Sequence, residues 1–527
     1  MNIGHPLTDT TKQTKRREWF IVISCLLIGF ALRFYTFDQK SLWVDEIHTF
    51  NDSRYSLGDQ LRFYKENPTY LHPPLFFVLT HLFHPFSKPE RDLRIIPLIF
   101  GTLSIPMIYL LARSLSNGIA LPCTLSLTFM VYHIYFSQEG RSYSMLLFFG
   151  ISALYFFVQH LKTLKRRYLF IVALFFGILF YTSYSSIPFI VFSQLLWFYK
   201  IREDNQKSFI SNFLILNGLL FLLVSPSILS IVSNYRGDPL MDPHHTEDPG
   251  SLWTIVYWVL HDWLPNLPLM IVSTILLVLF PFFFERKGNA LLFLAVFILP
   301  IISLYLFCRL FKVTHYFSSR YFILFLPLFF ISIYLSLYTI ECRFKRVTKC
   351  IRLKVLFVIF LIASNLVILP VYYRSEKQNF RGLVTYLKGQ LQDGDHVFIG
   401  MKAYVLGVLH YFGAHPKGRH HFILYSKDPE KGMEYRLRSD VQNSTVNIYH
   451  STNCCAQYAA DGHRVWIVVS KMTAKKLEKD SPCVFRGYFD GSVANFRNFP
   501  SDGSMYLFLW DPKSPDEKGI DLSIEIE

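Results

Sequence analysis

The chain has 527 residues, 52% of them hydrophobic and 17% aromatic, with a mean hydropathy of +0.29, which excludes an ordinary soluble multidomain protein. Its 53 Lys and Arg against 38 Asp and Glu give a formal charge of +15. A nucleic-acid binder would gather that surplus on one face, whereas here it falls in short clusters between apolar runs, so nucleic acid is excluded as a partner and a lipid bilayer is implied.

The first 18 residues carry Lys12, Lys15, Arg16 and Arg17 and are expected in the cytoplasm. The apolar run that follows resembles a signal peptide, but no small-residue cleavage site ends it. Arg33, Phe34 and Tyr35 continue the segment, so it reads as an uncleaved first span whose Arg33 snorkels to the far interface. Runs able to cross a bilayer lie near 19–37, 94–112, 118–136, 143–160, 168–183, 187–200, 209–232, 267–284, 290–308, 320–340 and 353–372, about eleven spans. With the N-terminus inside, alternation also places inside the loops with Lys162, Lys165, Arg166 and Arg167, with Arg286 and Lys287, and with Arg343, Lys345, Arg346, Lys349 and Arg352.

Between the first two spans, residues 38–93 form a first outer loop. Its segment from Leu71 to Phe86 is apolar but short, and a crossing there would turn every later basic loop outward. It is therefore expected to be an interfacial or re-entrant helix begun by Pro73 and Pro74. Ser251 to Leu264 reads the same way, with Trp253, Trp258 and Trp263 as an interface belt. The segment from Asn234 to Gly250, rich in Pro, Gly and acid, could be a lid or a plain connector. The spans thus define a membrane domain over 19–375. From 376 to 527, runs such as V-W-I-V-V alternate with polar and helical stretches, indicating a small α/β domain placed outside by parity. It has no G-x-G-x-x-G fingerprint. Cys454, Cys455 and Cys483 stand in polar sequence there, with Cys483 to one of the others the favoured disulfide if one forms. The other five cysteines lie in or beside apolar runs, and no Cys/His spacing indicates a metal.

Polar chemistry gathers at three outer boundaries: S-L-W-V-D-E-I-H-T-F at 41–50, S-Q-E-G-R-S-Y at 137–143 and S-R-Y at 319–321. Each has a plainer reading: a wet loop for Asp45 and Glu46, an interfacial ion pair for Glu139 and Arg141, an anchor for Arg320, and a helix start for His72. Asp45, Glu46, His48 and His72 could also gather a divalent cation, a weak signal.

In order and spacing, W-V-D-E at 43–46, H-P-P-L at 72–75, S-Q-E-G-R-S-Y and S-R-Y resemble bacterial polyprenyl-phosphate-sugar glycosyltransferases of the GT-C fold, relatives of protein O-mannosyltransferases and lipid A aminoarabinose transferases. The resemblance covers residues 19 to about 372, and the tail only loosely through N-F-R-G-L-V-T-Y-L and D-G-D-H-V. Gly140 stands where such enzymes often carry Ala. The resemblance implies an α-helical polytopic membrane protein of the bacterial cytoplasmic membrane with its acidic loop outside. It further implies a lipid-linked sugar donor, a glycan, lipid or protein hydroxyl as acceptor, and inversion at the anomeric carbon; no cofactor is predicted, with a divalent metal left open. In that scheme Asp45 takes the acceptor proton, Glu46 orients Asp45 or the acceptor, and Glu139 stabilises oxocarbenium-like charge. Arg141, Arg320 and His72 hold the departing phosphate. A lipid-linked sugar flippase is the competing reading, weakened by the lack of an internal repeat.

Overall fold

A computed structural model of the chain describes residues 12–66, 73–199, 206–234, 251–283, 287–311, 318–344, 352–413, 434–438, 445–449, 459–480, 483–492 and 503–513. The chain divides into two units, one of Met1–Phe37 with Ser53–Pro370 and one of Asp38–Asp52 with Val371–Glu527. The fifteen residues Asp38–Asp52, which begin the expected outer loop, thus belong with the C-terminal part.

The first unit is a helical membrane domain. Pro89–Leu115, Tyr143–Thr163, Phe209–Ser233, Ser319–Arg343 and Leu353–Arg374 are long and apolar enough to cross a bilayer. Two broken pairs pass when taken together: Asn117–Phe129 with Val131–Ser137, bent by 59°, and Leu252–Trp263 with Leu267–Phe282, bent by 118°. Among the described residues, length and composition thus support five to seven spans, and the expected eleven are not confirmed. The remaining four apolar runs are helical in Lys12–Phe34, Arg167–Thr182, Tyr184–Phe198 and Leu294–Phe307. Ser319–Arg343 is central, with 83% of its most apolar stretch buried, whereas Phe209–Ser233 buries only 11% and presents an apolar surface suited to lipid. The helix within Leu71 to Phe86 is Leu75–His81, only seven residues and far short of a crossing. Its Phe76 is buried against Ile96 and Met145.

The break at Met130 corrects one expectation. Arg33 does not snorkel; it is fully buried. Its guanidinium donates to the carbonyls of Gly29 at 2.9 Å, Leu127 at 2.9 Å and Thr128 at 3.1 Å, and to His133 Nδ1 at 2.7 Å. Leu127 and Thr128 lie in the last turn of Asn117–Phe129, where helix carbonyls lose their intrahelical partners. On the far side of the break, the Val131 amide donates to Asn365 Oδ1 at 2.9 Å. With no water in the bilayer core, an interrupted helix needs such side-chain partners, and Arg33 and Asn365 supply them. A second correction concerns the tryptophan belt. Trp253 is 78% exposed, but Trp263 is 1% exposed and packs edge-on against Phe329.

Among the described residues of the second unit, six strands form one mixed sheet: β1 (His396–Ile399), β2 (Glu434–Arg438), β3 (Thr445–Tyr449), β4 (Val465–Val469), β5 (Val484–Phe489) and β6 (Met505–Trp510), in the order β2-β3-β1-β4-β6-β5. The central β3, β1 and β4 are parallel, with Val397 opposite both Ile448 and Trp466, and the outer pairs are antiparallel. β1 and β4 are buried on both faces and, apart from His396 at the start of β1, read as apolar runs, as central parallel strands do. Phe398, Val465, Ile467, Val469, Tyr506 and Phe508 form one core cluster, and Cys483 packs against it. Cys454, Cys455 and the Asn443-Ser444 part of a glycosylation-like triplet lie outside the described residues.

Asp395 precedes β1 and is buried, accepting from Trp466 Nε1 at 2.8 Å and the Gln392 amide at 2.9 Å, with Arg464 at 3.6 Å. Burial pushes its carboxyl above the ordinary value, against the pull of those donors and of Arg464, while Asp511 adds to the rise. The folded carboxyl holds its proton more tightly than the unfolded one, so this contribution is full below the unfolded pKa and is lost as pH rises through the folded value. Asp395→Asn should therefore flatten that part of the profile. In thermal unfolding of the full chain, the wild-type midpoint is expected to gain on the variant's as pH is lowered toward the carboxylate range; a constant difference between the two would refute this origin.

Candidate active site

Asp45 and Glu46 open the helix Val44–Ser53, in its first turn, where carboxylates are favoured by the partial positive charge of the helix end. Trp43 is the preceding cap, since the Ile47 amide donates to its carbonyl at 3.0 Å. Glu46 is buried and reaches back to accept from the Trp43 amide at 3.4 Å, the returning half of a capping box. Asp45 is half-buried, and its carbonyl accepts from Thr49 Oγ1 at 3.2 Å. The two adjacent acids therefore differ in place: the Glu46 side chain is buried and turned back on its own helix, whereas Asp45 is half-buried.

The segment leading into this helix is held by side chains from far along the sequence. The Ser41 amide donates to Glu376 Oε2 at 3.1 Å, the Leu42 amide to Tyr411 Oη at 2.8 Å, and the Val44 amide to Gln378 Oε1 at 3.0 Å. Lys40 is buried and donates to the carbonyls of Tyr372 at 2.9 Å, Tyr373 at 3.1 Å and Ser375, capping the C-terminus of Leu353–Arg374 with a cation. Arg381 donates to the Gln39 carbonyl, and its own amide to Ser41 Oγ at 3.3 Å. Phe50 meets the His410 ring edge-on at 4.9 Å.

In the membrane unit, Glu139, Gly140 and Arg141 occupy a non-helical bend between Val131–Ser137 and Tyr143–Thr163. The bend is tight, with the Arg141 amide 2.6 Å from the Glu139 carbonyl. Glu139 is fully buried and Arg141 nearly so. Gln138 ties the bend to the end of the first helix, donating to the carbonyls of Arg33 at 2.8 Å and Tyr35 at 2.6 Å. Gly101 lets Pro89–Leu115 pass this point, since a Cβ there would collide with Ser137 Oγ and stand 2.7 Å from Ser137 Cβ.

Arg320, in the seven-residue 3₁₀ helix Ser319–Phe325, is brought to the same region. Its guanidinium lies 6.0 Å from the Tyr143 ring centroid and 5.4 Å from that of Tyr321, at cation–π range. Tyr132 donates to the Ser319 carbonyl at 2.9 Å, and Phe136, Tyr143 and Tyr321 stand edge to face at 5.0 and 6.2 Å. This unit thus joins the second and third polar motifs through aromatic side chains. Such a group can stack on a sugar face, while two guanidinium groups can bind an anion and a buried carboxylate can stabilise positive charge.

Sequence reasoning did not single out Tyr132, Tyr143, Glu376, Gln378 or Tyr411. Of these, only Tyr143 stood within a motif already noted, while Glu376 and Gln378 sit just before N-F-R-G-L and could have been flagged from that position. His72 and residues 235–250, the supposed lid, lie outside the described residues. Among the described residues no group of three or more His, Cys, Asp or Glu side chains could hold a metal ion.

Residues 71–230 match the family of dolichyl-phosphate-mannose-protein mannosyltransferases. No curated protein matches the chain in sequence. Among solved structures, ArnT from Cupriavidus metallidurans in the apo state superposes with a TM-score of 0.55 at 12% identity, covering 97% of this chain and 100% of that one. The same protein bound to undecaprenyl phosphate gives 0.53 at 12% identity, covering 93% and 98%. The likeness runs through the C-terminal sheet as well as the helices, since almost the whole of each chain is covered. The family match is confined to residues 71–230, while the superposition over almost the whole chain shows that the chain has the GT-C fold seen in ArnT.

Proposed function

We propose that the chain is an inverting glycosyltransferase that moves a sugar from a polyprenyl-phosphate donor to a hydroxyl acceptor at the outer face of the bacterial cytoplasmic membrane. The observation that carries this reading is the bend Glu139-Gly140-Arg141, where a fully buried carboxylate and a buried guanidinium interrupt helices that are otherwise apolar. Ionisable groups buried among membrane helices, and irregular backbone between them, are costly and mark function. ArnT, solved with undecaprenyl phosphate, shows that a protein of this fold accepts such a carrier.

In the proposed reaction the acceptor oxygen attacks the anomeric carbon, the bond from that carbon to the donor phosphate oxygen breaks, and the polyprenyl phosphate leaves as an anion. Asp45 takes the acceptor proton. Arg141 and Arg320, with His72 from outside the described residues, balance the charge growing on the phosphate, so no acid is needed for the leaving group. Glu139 opposes the positive charge that builds on the sugar ring. The acceptor is a glycan, lipid or protein of the cell envelope.

The test is to incubate purified protein in lipid with a polyprenyl-phosphate sugar and envelope acceptor, then follow the carrier by mass spectrometry. Free polyprenyl phosphate appearing in step with glycosylated acceptor is expected. Movement of intact donor across the bilayer without its cleavage would overturn the reading in favour of a flippase.

A further inference from the structure

The four successive backbone amides of Ser41, Leu42, Trp43 and Val44 all donate to side-chain oxygens: Glu376 Oε2, Tyr411 Oη, Glu46 Oε2 and Gln378 Oε1. Backbone amides ordinarily pair with backbone carbonyls, as in about two-thirds of protein hydrogen bonds. Residues 41–43 belong to no strand and Val44 opens a helix, so these four amides take side-chain oxygens instead. Three of the acceptors come from residues 376–411, more than 330 positions away for each pair. The acceptors bracket the entry to the helix whose first turn holds Asp45: one on the amide that begins the helix, one on its cap and two on the residues before it. The same segment is fixed further by Lys40, whose ammonium donates to the Tyr372 and Tyr373 carbonyls, and by Arg381, which donates to the Gln39 carbonyl and, through its amide, to Ser41 Oγ.

From this arrangement we infer that Glu376, Gln378 and Tyr411 are positioning residues for Asp45, so that the segment following the last span, together with the helix Lys402–Tyr411, is a working part of the catalytic apparatus. The inference rests on the glycosyltransfer reading and extends it. A general base must sit within hydrogen-bond reach of the proton it takes, and a displacement of about 1 Å can cost about a hundredfold in rate. Each acceptor sets the position of one amide, and the sum sets where the helix starts and where Asp45 points. Such residues act on turnover and leave donor binding alone, because none of them is asked to touch the donor.

Tyr411→Phe deletes a single oxygen, Gln378→Met removes the acceptor at equal length, and Gln378→Glu keeps an acceptor oxygen in place. In full-length protein assayed in lipid, the first two are each expected to lower kcat about tenfold with KM for the donor within about twofold, while Gln378→Glu restores most of kcat. Hydrogen exchange of residues 41–47 is expected to quicken in the first two and not in the third. Wild-type kcat in both Tyr411→Phe and Gln378→Met, with Asp45→Asn inactive, overturns this inference and spares the reading beneath it. A raised KM at unchanged kcat does the same. Full turnover by Asp45→Asn removes the reading and the inference with it. Should Gln378→Met fail to fold, the single-atom change in Tyr411→Phe still decides.

Discussion

Asp45→Asn is expected to lower sugar transfer by about 10² to 10⁴-fold, the span ordinarily supplied by a positioned general base. The amide keeps the shape and polarity of the side chain but cannot accept a proton, and no bond to the Asp45 carboxylate is needed to cap Val44–Ser53, since Glu46 caps it. Thermal stability and membrane insertion should be unchanged. The measurement is turnover by purified, reconstituted protein, and full activity would remove Asp45 from the mechanism. Glu46→Gln completes the comparison because it preserves the oxygen that accepts from Trp43. Retained activity assigns Glu46 to capping alone, whereas a loss matching that of Asp45→Asn assigns it direct contact with the reactants.

The second large effect concerns stability. Arg33→Met should destabilise the membrane unit by about 3 kcal/mol or more, because it strips charge-assisted partners from the Leu127 and Thr128 carbonyls at the break in the helix pair. A buried carbonyl left without a partner costs about 1 to 3 kcal/mol, and no water is at hand in hydrocarbon to replace the guanidinium. Arg33→Lys should recover only part of the loss, as one ammonium cannot span three carbonyls and His133 Nδ1 in the fixed fork that a guanidinium presents. Thermal unfolding in detergent checks both. A wild-type midpoint for Arg33→Met would mean that the break is satisfied by other means.

Much of the membrane unit could be read directly, because hydrocarbon imposes one pattern, an apolar run of fixed length, and every expected run has a helical counterpart. Asn117–Phe129 with Val131–Ser137 shows the limit of that reading. Composition makes 118–136 one span, and nothing local distinguishes Met130, where the chain turns extended. Arg33 was misplaced for a related reason. A long cationic side chain near a helix end goes to the interface unless something inside holds it, and the carbonyls that hold it exist only because of a break 94 residues on.

Of the candidate site, Glu139, Arg141 and Arg320 were visible as charges at the ends of apolar runs, and the structure brings the two motifs together through Tyr143 and Tyr132. Glu376, Gln378 and Tyr411 were not visible. Their contacts are polar, aperiodic and remote in sequence, so neither the helical nor the strand repeat announces them. The strand β4, V-W-I-V-V, was legible because burial on both faces leaves an apolar run. The edge strand β2, E-Y-R-L-R, has no such run and was missed.

The distance in sequence between Ser41 and Glu376 also sets a schedule. A ribosome adding about 5 to 20 residues per second takes roughly 20 to 70 s to pass from one to the other. Throughout that interval the nascent chain carries its first acidic loop without the side chains that will receive the amides of residues 41, 42 and 44. Synthesis must run through Tyr411 before that loop can take its final form, so a ribosome that stalls after the last span leaves behind an inserted but unfinished protein.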